Sequence, residues 1–232
     1  MPPAQNAPRA EDALRSLAPF RDLPEATVSA LAEVTSMRHY RRDMFIFAEG
    51  EPSEIFCFVH SGAVKVFKTS VDGQEQTLHL LRPGDLFAVT GFVVPSPYPG
   101  TAQTLEDSWI GCVRNAALRS LAVRDASLAF ALLVHFGERL AGTSRHVLDL
   151  GTRDAAGKLA AALLDLVQTA DAGADAVTVD LHLTHKELAQ LIGASRETVT
   201  RLLGDFREAG AVTTGHDGRL TIHPGRLARY VE

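Results

Sequence analysis

Four glycine turns beat along the first part of the chain: Glu49-Gly50, Ser61-Gly62, Asp72-Gly73 and Pro83-Gly84 follow one another at steps of 12, 11 and 11 residues. Around them the apolar residues alternate, as Phe45 and Phe47, Phe56 and Phe58, Val64 and Val66, Leu78 and Leu80, and Ile110 and Cys112. A period of two puts successive side chains on opposite faces of a strand, and a turn every eleven or so residues keeps each strand short. The segment therefore folds as antiparallel hairpins closed into a barrel or roll. Residues Val93 to Gly100 carry three prolines, which lack the N–H that a central strand needs, so they form a loop over or beside the roll. The mouth of a small barrel is an ordinary place for a ligand.

The period changes at Asp125. Ala126, Ala129, Leu133, Phe136, Leu140, Thr143, Val147 and Leu150 step by alternating threes and fours, a heptad seam on one long helix. Such a seam predicts a parallel pairing of two copies through Leu133, Phe136, Leu140, Thr143, Val147 and Leu150. The competing account packs the helix on its own roll, through Leu128 and Leu132 just off the seam. Thr143 is the polar residue of the seam, a position that fixes register and where an effector would touch both subunits. Leu150-Gly151-Thr152 reads as a hinge, because glycine after a long helix is a stop signal. Upstream, Leu14 and Leu17, then Val28, Leu31 and Val34 after Pro24, mark two short helices.

Past the hinge, Leu159, Leu163, Leu166 and Val167 place a helix over about Arg153 to Thr169. Thr184 with Glu187 three residues on is a capping box, opening a helix that buries Leu188, Leu191 and Ile192 and ends at Gly193. Ser195 then caps a second helix, with Val199, Leu202, Leu203 and Phe206 as its apolar stripe. Arg196, Glu197, Thr200 and Arg201 stay outside. Two short helices joined by a glycine turn make a helix-turn-helix, whose second helix enters the major groove of DNA. The side chains suit base reading, since arginine binds guanine bidentately, glutamate accepts from cytosine N4, and threonine meets a thymine methyl or a phosphate. The plainer account is a solvated face with Glu197 and Arg201 as an i, i+4 ion pair. Asp217-Gly218 turns a hairpin between Val212-Thr213 and Leu220-Ile222, a wing that sets Arg219 towards a phosphate.

Composition bounds the rest. The 232 residues carry a net charge of −5, and from Asp154 onward there are eight Lys or Arg against eleven Asp or Glu. DNA capture therefore relies on a few placed cations and on two copies, and is strongly salt-sensitive. The start, Met1-Pro2-Pro3-Ala4-Gln5, has neither the basic nor the apolar region of a signal peptide, and no long uncharged apolar window follows. A cytoplasmic location and no membrane partner are expected. Two cysteines, Cys57 and Cys112, make neither a disulfide framework nor a metal cluster, and both read as buried structural thiols rather than a redox switch.

These residues resemble the cyclic-AMP receptor and fumarate-nitrate regulator (CRP/FNR) family of bacterial transcription factors over about residues 14 to 232. The Ser195-Arg196-Glu197-Thr198-Val199 start of the second helix is the most specific part of the likeness. Residues 1–10, rich in Pro and Ala with nothing to bury, read as a mobile tail. For the rest, the resemblance implies an α+β chain: a cyclic-nucleotide-binding-like β-roll with flanking helices at 11–124, a dimerisation helix at 125–150, and a winged helix-turn-helix at 151–232. It implies base reading by Arg196, Glu197 and Arg201, a backbone phosphate held at Thr184, and duplex DNA with two-fold-related half-sites. It also implies RNA polymerase as a partner if the protein is an activator.

The effector is where the likeness thins. Cyclic-AMP receptors have Gly-Glu-Leu where this chain has Ala88-Val89-Thr90, and an Arg-Ser pair where it has Tyr98-Pro99. Without that carboxylate and that cation, the usual binding of cyclic AMP would bury an unpaired charge. Val89, Thr90, Tyr98, Arg139, Thr143 and Ser144 match the family's ligand-facing positions and leave a polar or anionic effector open. The iron-sulfur sensors have several cysteines, and this chain has none before Cys57, which argues against a cluster. Haem stays open as a cofactor, with His39, His60, His79, His135 and His146 as candidate ligands in no diagnostic motif. An alternative reading makes the roll a cupin-like metal-dependent enzyme or a small-molecule binding module on His60 and His79, but the roll has no His-x-His pair. His182 and His185 lack the i, i+4 spacing of zinc proteases, and no nucleophile elbow or phosphate-binding glycine loop occurs. No metal site and no catalytic residue are expected.

Overall fold

The computed structural model describes residues 7–167, 174–179, 181, 183–215 and 219–231, with the side chains of Arg139 and of 142–152 outside that description. The chain forms two compact units, residues 1–70 with 78–141, and residues 71–77 with 142–232.

The first unit opens with α1 (Ala10–Arg15), a 3-10 turn at Ala18–Phe20 and α2 (Glu25–Glu33). Pro24 is the N-cap of α2 rather than its first helical residue. Eight strands follow: β1 (Thr35–Tyr40), β2 (Phe45–Phe47), β3 (Ile55–Ser61), β4 (Val64–Thr69), β5 (Glu75–Leu81), β6 (Leu86–Phe87), then, after the short helix α3 (Thr90–Val93), β7 (Thr101–Thr104) and β8 (Ser108–Arg114). They lie in two four-stranded sheets, ordered β1-β8-β3-β6 and β2-β7-β4-β5. Gly50, Gly62, Gly73 and Gly84 all have positive φ. Gly62 is fixed twice over, because a Cβ there would also come 2.7 Å from the Asp107 carbonyl oxygen.

β3 is buried on both faces. Phe56 and Phe58 pack against Leu14, Leu17, Phe20, Val28 and Leu31 of the N-terminal helical segment, while Cys57 and Val59 fill the roll with Phe47, Phe87, Ile110 and Cys112. That double burial is why its sequence reads as an unbroken apolar run rather than a clean alternation. Phe45 departs from the pattern expected of it. It is 60% exposed, because a register irregularity in the β2–β7 pairing falls between Phe45 and Phe47. Leu78 and Leu80 are only half-buried, with Thr77 and Leu81 as the buried residues of β5.

After β8 comes α4 (Asn115–Arg124), a helix the periodicity did not announce, and then α5 (Ala126–Thr152). Asp125 caps α5 with Oδ1, which accepts from the Ser127 and Leu128 amides at 2.9 and 3.2 Å. Leu128 and Leu132 are buried in the roll-side core, as the competing account of the long helix required. The helix runs through Gly151, so the stop expected there is displaced. The break falls at Arg153-Asp154, where Asp154 Oδ1 accepts from the Gly157 amide at 2.8 Å and starts the next helix. A single glycine weakens a helix without ending it, whereas a new cap redirects the chain.

The second unit contains α6 (Ala155–Val167), the short β9 (Val177–Thr178), α7 (His185–Ile192), α8 (Arg196–Glu208), β10 (Val212–Thr214), β11 (Leu220–Ile222) and α9 (Pro224–Leu227). Leu159, Leu163, Leu166 and Val167 of α6 are buried, as are Val199, Leu202, Leu203 and Phe206 of α8. The wing is a three-stranded sheet ordered β10-β11-β9, one strand more than the hairpin expected. Its Asp217-Gly218 turn lies outside the described residues.

Candidate nucleic-acid interface

Local chemistry sets the two helices of the interface. The Thr184 hydroxyl oxygen accepts from the Glu187 amide at 3.2 Å, and the Glu187 carboxylate accepts from the Thr184 amide at 2.6 Å, closing the capping box. Gly193 ends α7 in the left-handed region at φ 66°, a conformation that costs a side chain but not glycine. Ser195 caps α8 by accepting from the Thr198 amide at 3.1 Å. α8 is 13 residues long, longer than the sequence suggested.

With its stripe of Val199, Leu202, Leu203 and Phe206 buried, the opposite face of α8 presents Arg196, Glu197, Thr200 and Arg201, all exposed. Thr200 donates its hydroxyl hydrogen to the Arg196 carbonyl at 2.9 Å. Arg201 lies 3.4 Å from Asp205, so the i, i+4 ion pair on this face joins Arg201 to Asp205 rather than to Glu197. The Glu197 carboxyl is held below the usual carboxylate range by its own backbone amide and then by Ser195, which favours the ionised, acceptor-only form. Arg207 reaches from α8 to the wing, its Nε donating to Thr214 Oγ1 at 3.1 Å. Arg219, the wing residue expected to meet a phosphate, is half-buried, with its Nε shielded from solvent.

Sequence reasoning missed His185. This first residue of α7 is linked to Thr200 of α8 by a hydrogen bond of 2.8 Å at Nδ1. A histidine directly after a capping threonine, fifteen residues before a threonine on the facing helix, was the available signal.

The described residues matched to an effector, Val89, Thr90 and Tyr98, lie in the first unit in different environments. Thr90 is exposed at the start of α3, and Val89 is half-buried against the helical core. Tyr98 is buried, stacked on Phe47 with ring centroids 3.8 Å apart, and its hydroxyl oxygen accepts from the Ile55 amide at 3.2 Å. Tyr98 is thus a roll-packing residue in this arrangement. Arg139, Thr143 and Ser144 lie on α5, with side chains outside the described residues, as are those of the seam residues Val147 and Leu150. Leu133 and Leu140 are 65% and 70% exposed, and Phe130 and Val134, which the heptad count passed over, join them. Phe136 instead leans on its own roll, 6.2 Å from the Phe92 ring. Among the described residues, no three His, Cys, Asp or Glu side chains gather as a metal site, and no helix is long and apolar enough to cross a membrane.

Residues 37–125 match the model of the cyclic nucleotide-binding domain, and residues 157–230 that of the Crp-like helix-turn-helix domain. A CRP-like cAMP-activated global transcriptional regulator of Mycobacterium tuberculosis is 33% identical over 213 residues, 90% of this chain and 94% of that protein. The chain belongs to the CRP/FNR family of transcription regulators. A global nitrogen regulator of Nostoc is 31% identical over 82% of this CRP/FNR chain and 86% of its own length. The structure of FixK2 from Bradyrhizobium japonicum shares the fold, with a TM-score of 0.76 at 24% identity over 86% of this chain and 98% of that one. This regulator therefore has the expected α+β architecture, a cyclic-nucleotide-binding-type roll followed by a DNA-binding helix-turn-helix, and the cupin reading is not favoured.

Proposed function

We propose that this regulator works in the cytoplasm as a homodimer paired along α5, and that each subunit reads one of two symmetry-related DNA half-sites with Arg196, Glu197, Thr200 and Arg201. The observation that carries the reading is the α8 surface itself. Two guanidinium donors, one carboxylate acceptor and one hydroxyl stand exposed on the first two turns of a helix whose opposite face is fully packed. Ser195, beside them, offers a hydroxyl to the phosphates, and Thr184 meets one once its hydroxyl hydrogen turns from the Glu187 carboxylate. Pairing is supported by α5, where Phe130, Leu133, Val134 and Leu140 stand exposed on a long helix that carries the heptad seam. An activator built this way would meet RNA polymerase beside its site.

The effector binds at the roll and reaches α5 near Arg139, Thr143 and Ser144, biasing the pairing of the long helices. The usual cyclic-AMP mode does not fit the residues present. Ala88, Val89 and Thr90 bring no carboxylate, and Tyr98, where a cation-bearing pair would be needed, is packed on Phe47. Relatives named for activation by cAMP make that nucleotide the first compound to test.

Selection from randomised duplexes tests the reading, with enrichment of a palindromic site as the expected result and no enrichment at low ionic strength as the refuting one. Sedimentation of the Leu133→Asp, Leu140→Asp variant checks the pairing, and monomers are expected. Calorimetry with cyclic AMP and an absorbance spectrum for a Soret band separate a nucleotide, haem or another effector.

A further inference from the structure

The contact between His185 and Thr200 ties the first residue of α7 to the reading face of α8, and it fixes where the protons are. The Thr200 hydroxyl has one hydrogen, and it goes to the Arg196 carbonyl at 2.9 Å. For the 2.8 Å bond to His185 to exist together with that one, the Thr200 oxygen must accept and Nδ1 must donate. The neutral ring then carries its proton on Nδ1, which leaves Nε2, across the ring, as a bare acceptor on the half-buried imidazole. The clasp also fixes the Thr200 side chain, since an oxygen bound on two sides holds one rotamer and aims its methyl in one direction.

We propose that His185 is a positioning and DNA-backbone-contacting residue of this regulator: through Nδ1 it holds Thr200 in its base-reading rotamer, and through Nε2 it meets a phosphate. The proposal rests on the reading of α8 as the DNA-facing helix. In that arrangement the first helix of the pair crosses the phosphate backbone, and its first residue stands where a cation is wanted.

A neutral Nε2 would repel a phosphate oxygen, so the contact requires a proton. In the free protein the imidazole stays neutral more readily than usual. Burial, then the Arg207 and Arg196 guanidinium groups on α8, hold its pKa down. On its own helix the neighbouring charges are Lys186 and Glu187. Bringing phosphates to this face reverses the field, because their negative charge faces the ring and offsets that of the two arginines. The His185 pKa rises in the complex, and binding takes up a proton. The direction follows: affinity is highest at pH values where the complex holds the proton, and it falls as pH rises through the complex's pKa towards a plateau where neither state holds it.

The test uses the full chain and the duplex enriched by site selection, with binding followed from about pH 6 to about pH 8 for wild type, His185→Gln and His185→Ala. The glutamine side chain can still donate to Thr200 but cannot titrate. Wild-type affinity should rise on acidification by roughly threefold to tenfold more than that of His185→Gln, each protein referred to its own value at the alkaline end. His185→Ala should broaden the base preference at the position Thr200 meets, and His185→Gln should restore it. In NMR titrations the pKa followed at the His185 Hε1 resonance should move up on DNA binding. Parallel pH profiles for wild type and His185→Gln, an unmoved His185 pKa, or unbroadened selectivity in His185→Ala would each overturn the proposal while leaving DNA recognition by α8 standing. A wild-type chain that binds no duplex would overturn both.

Discussion

Phe58 and Gly111 stand directly opposite one another across β3 and β8, and the aromatic ring lies over the glycine so closely that a Cβ added there would come 2.0 Å from Phe58 Cζ. The glycine is what lets a fully buried phenylalanine lie flat against the neighbouring strand. Gly111→Ala should destabilise the first unit by about 1–3 kcal/mol, the cost of overfilling a packed core. Adding Phe58→Leu to that variant should recover part of the loss. Denaturant unfolding of both variants checks this, and the coupling of the two changes is the number to read.

Asp125 joins two elements at the root of the long helix. Its Oδ1 caps α5, while its Oδ2 accepts a short hydrogen bond from Thr27 on α2. The Thr27 hydroxyl, with smaller help from the Leu128 and Ser127 amides, holds the carboxyl below its usual pKa. A depressed carboxyl pKa contributes stability that is present above the unfolded-state value and is lost as pH falls through the folded-state value. Asp125→Asn should therefore flatten the acid limb of the stability profile. Asp125→Ala should cost about 1 kcal/mol near neutrality, the worth of a cap. Thermal unfolding across the acid range measures both.

Cys57 and Cys112 are register partners on β3 and β8, their sulfurs 3.7 Å apart in the roll interior. Burial pushes the Cys57 thiol up, which keeps it protonated and unreactive. Alkylating reagents should leave both thiols unmodified in the native chain and modify both in guanidinium, as counted by mass spectrometry. Rapid native labelling of either would contradict the role of buried filler.

What the sequence discloses depends on how many local signals agree at one place. At α7 and α8, a capping box, a left-handed glycine, a serine cap and one apolar stripe all point to the same two helices, and the structure has them. At β1 there is no such agreement. Thr35-Ser36-Met37-Arg38-His39-Tyr40 has no buried residue, and what makes it a strand is its pairing with β8, a long-range relation that no local period records. α4 stayed hidden for a similar reason, being short and largely exposed, with Leu118 as its buried leucine. Tyr98 reads as a ligand-facing residue by position in the chain, and its stacking on Phe47 is not legible there because the partner ring lies about fifty residues away in the sequence. His185 was legible as a residue and illegible as a function, because its partner lies on another helix.

Arg201 is held in the free protein by Asp205 at 3.4 Å, with both side chains more than half exposed. An exposed pair of this kind contributes little to stability, since solvent screens it and two long side chains must be ordered to make it. On the proposed reading, releasing Arg201 to a guanine would therefore cost little, while the two hydrogen bonds gained would be specific to that base. Arg201→Ala should leave the melting temperature nearly unchanged. It should weaken binding to the selected site by about 1–3 kcal/mol and relax preference at one base pair in each half-site. Arg201→Lys keeps the charge and loses the fork, so it should retain most of the salt dependence of binding without restoring the base preference. Parallel site selections on the three proteins distinguish these outcomes. If Arg201→Ala enriched the same sequences as the wild type, the base-reading role would pass to Arg196 and Glu197.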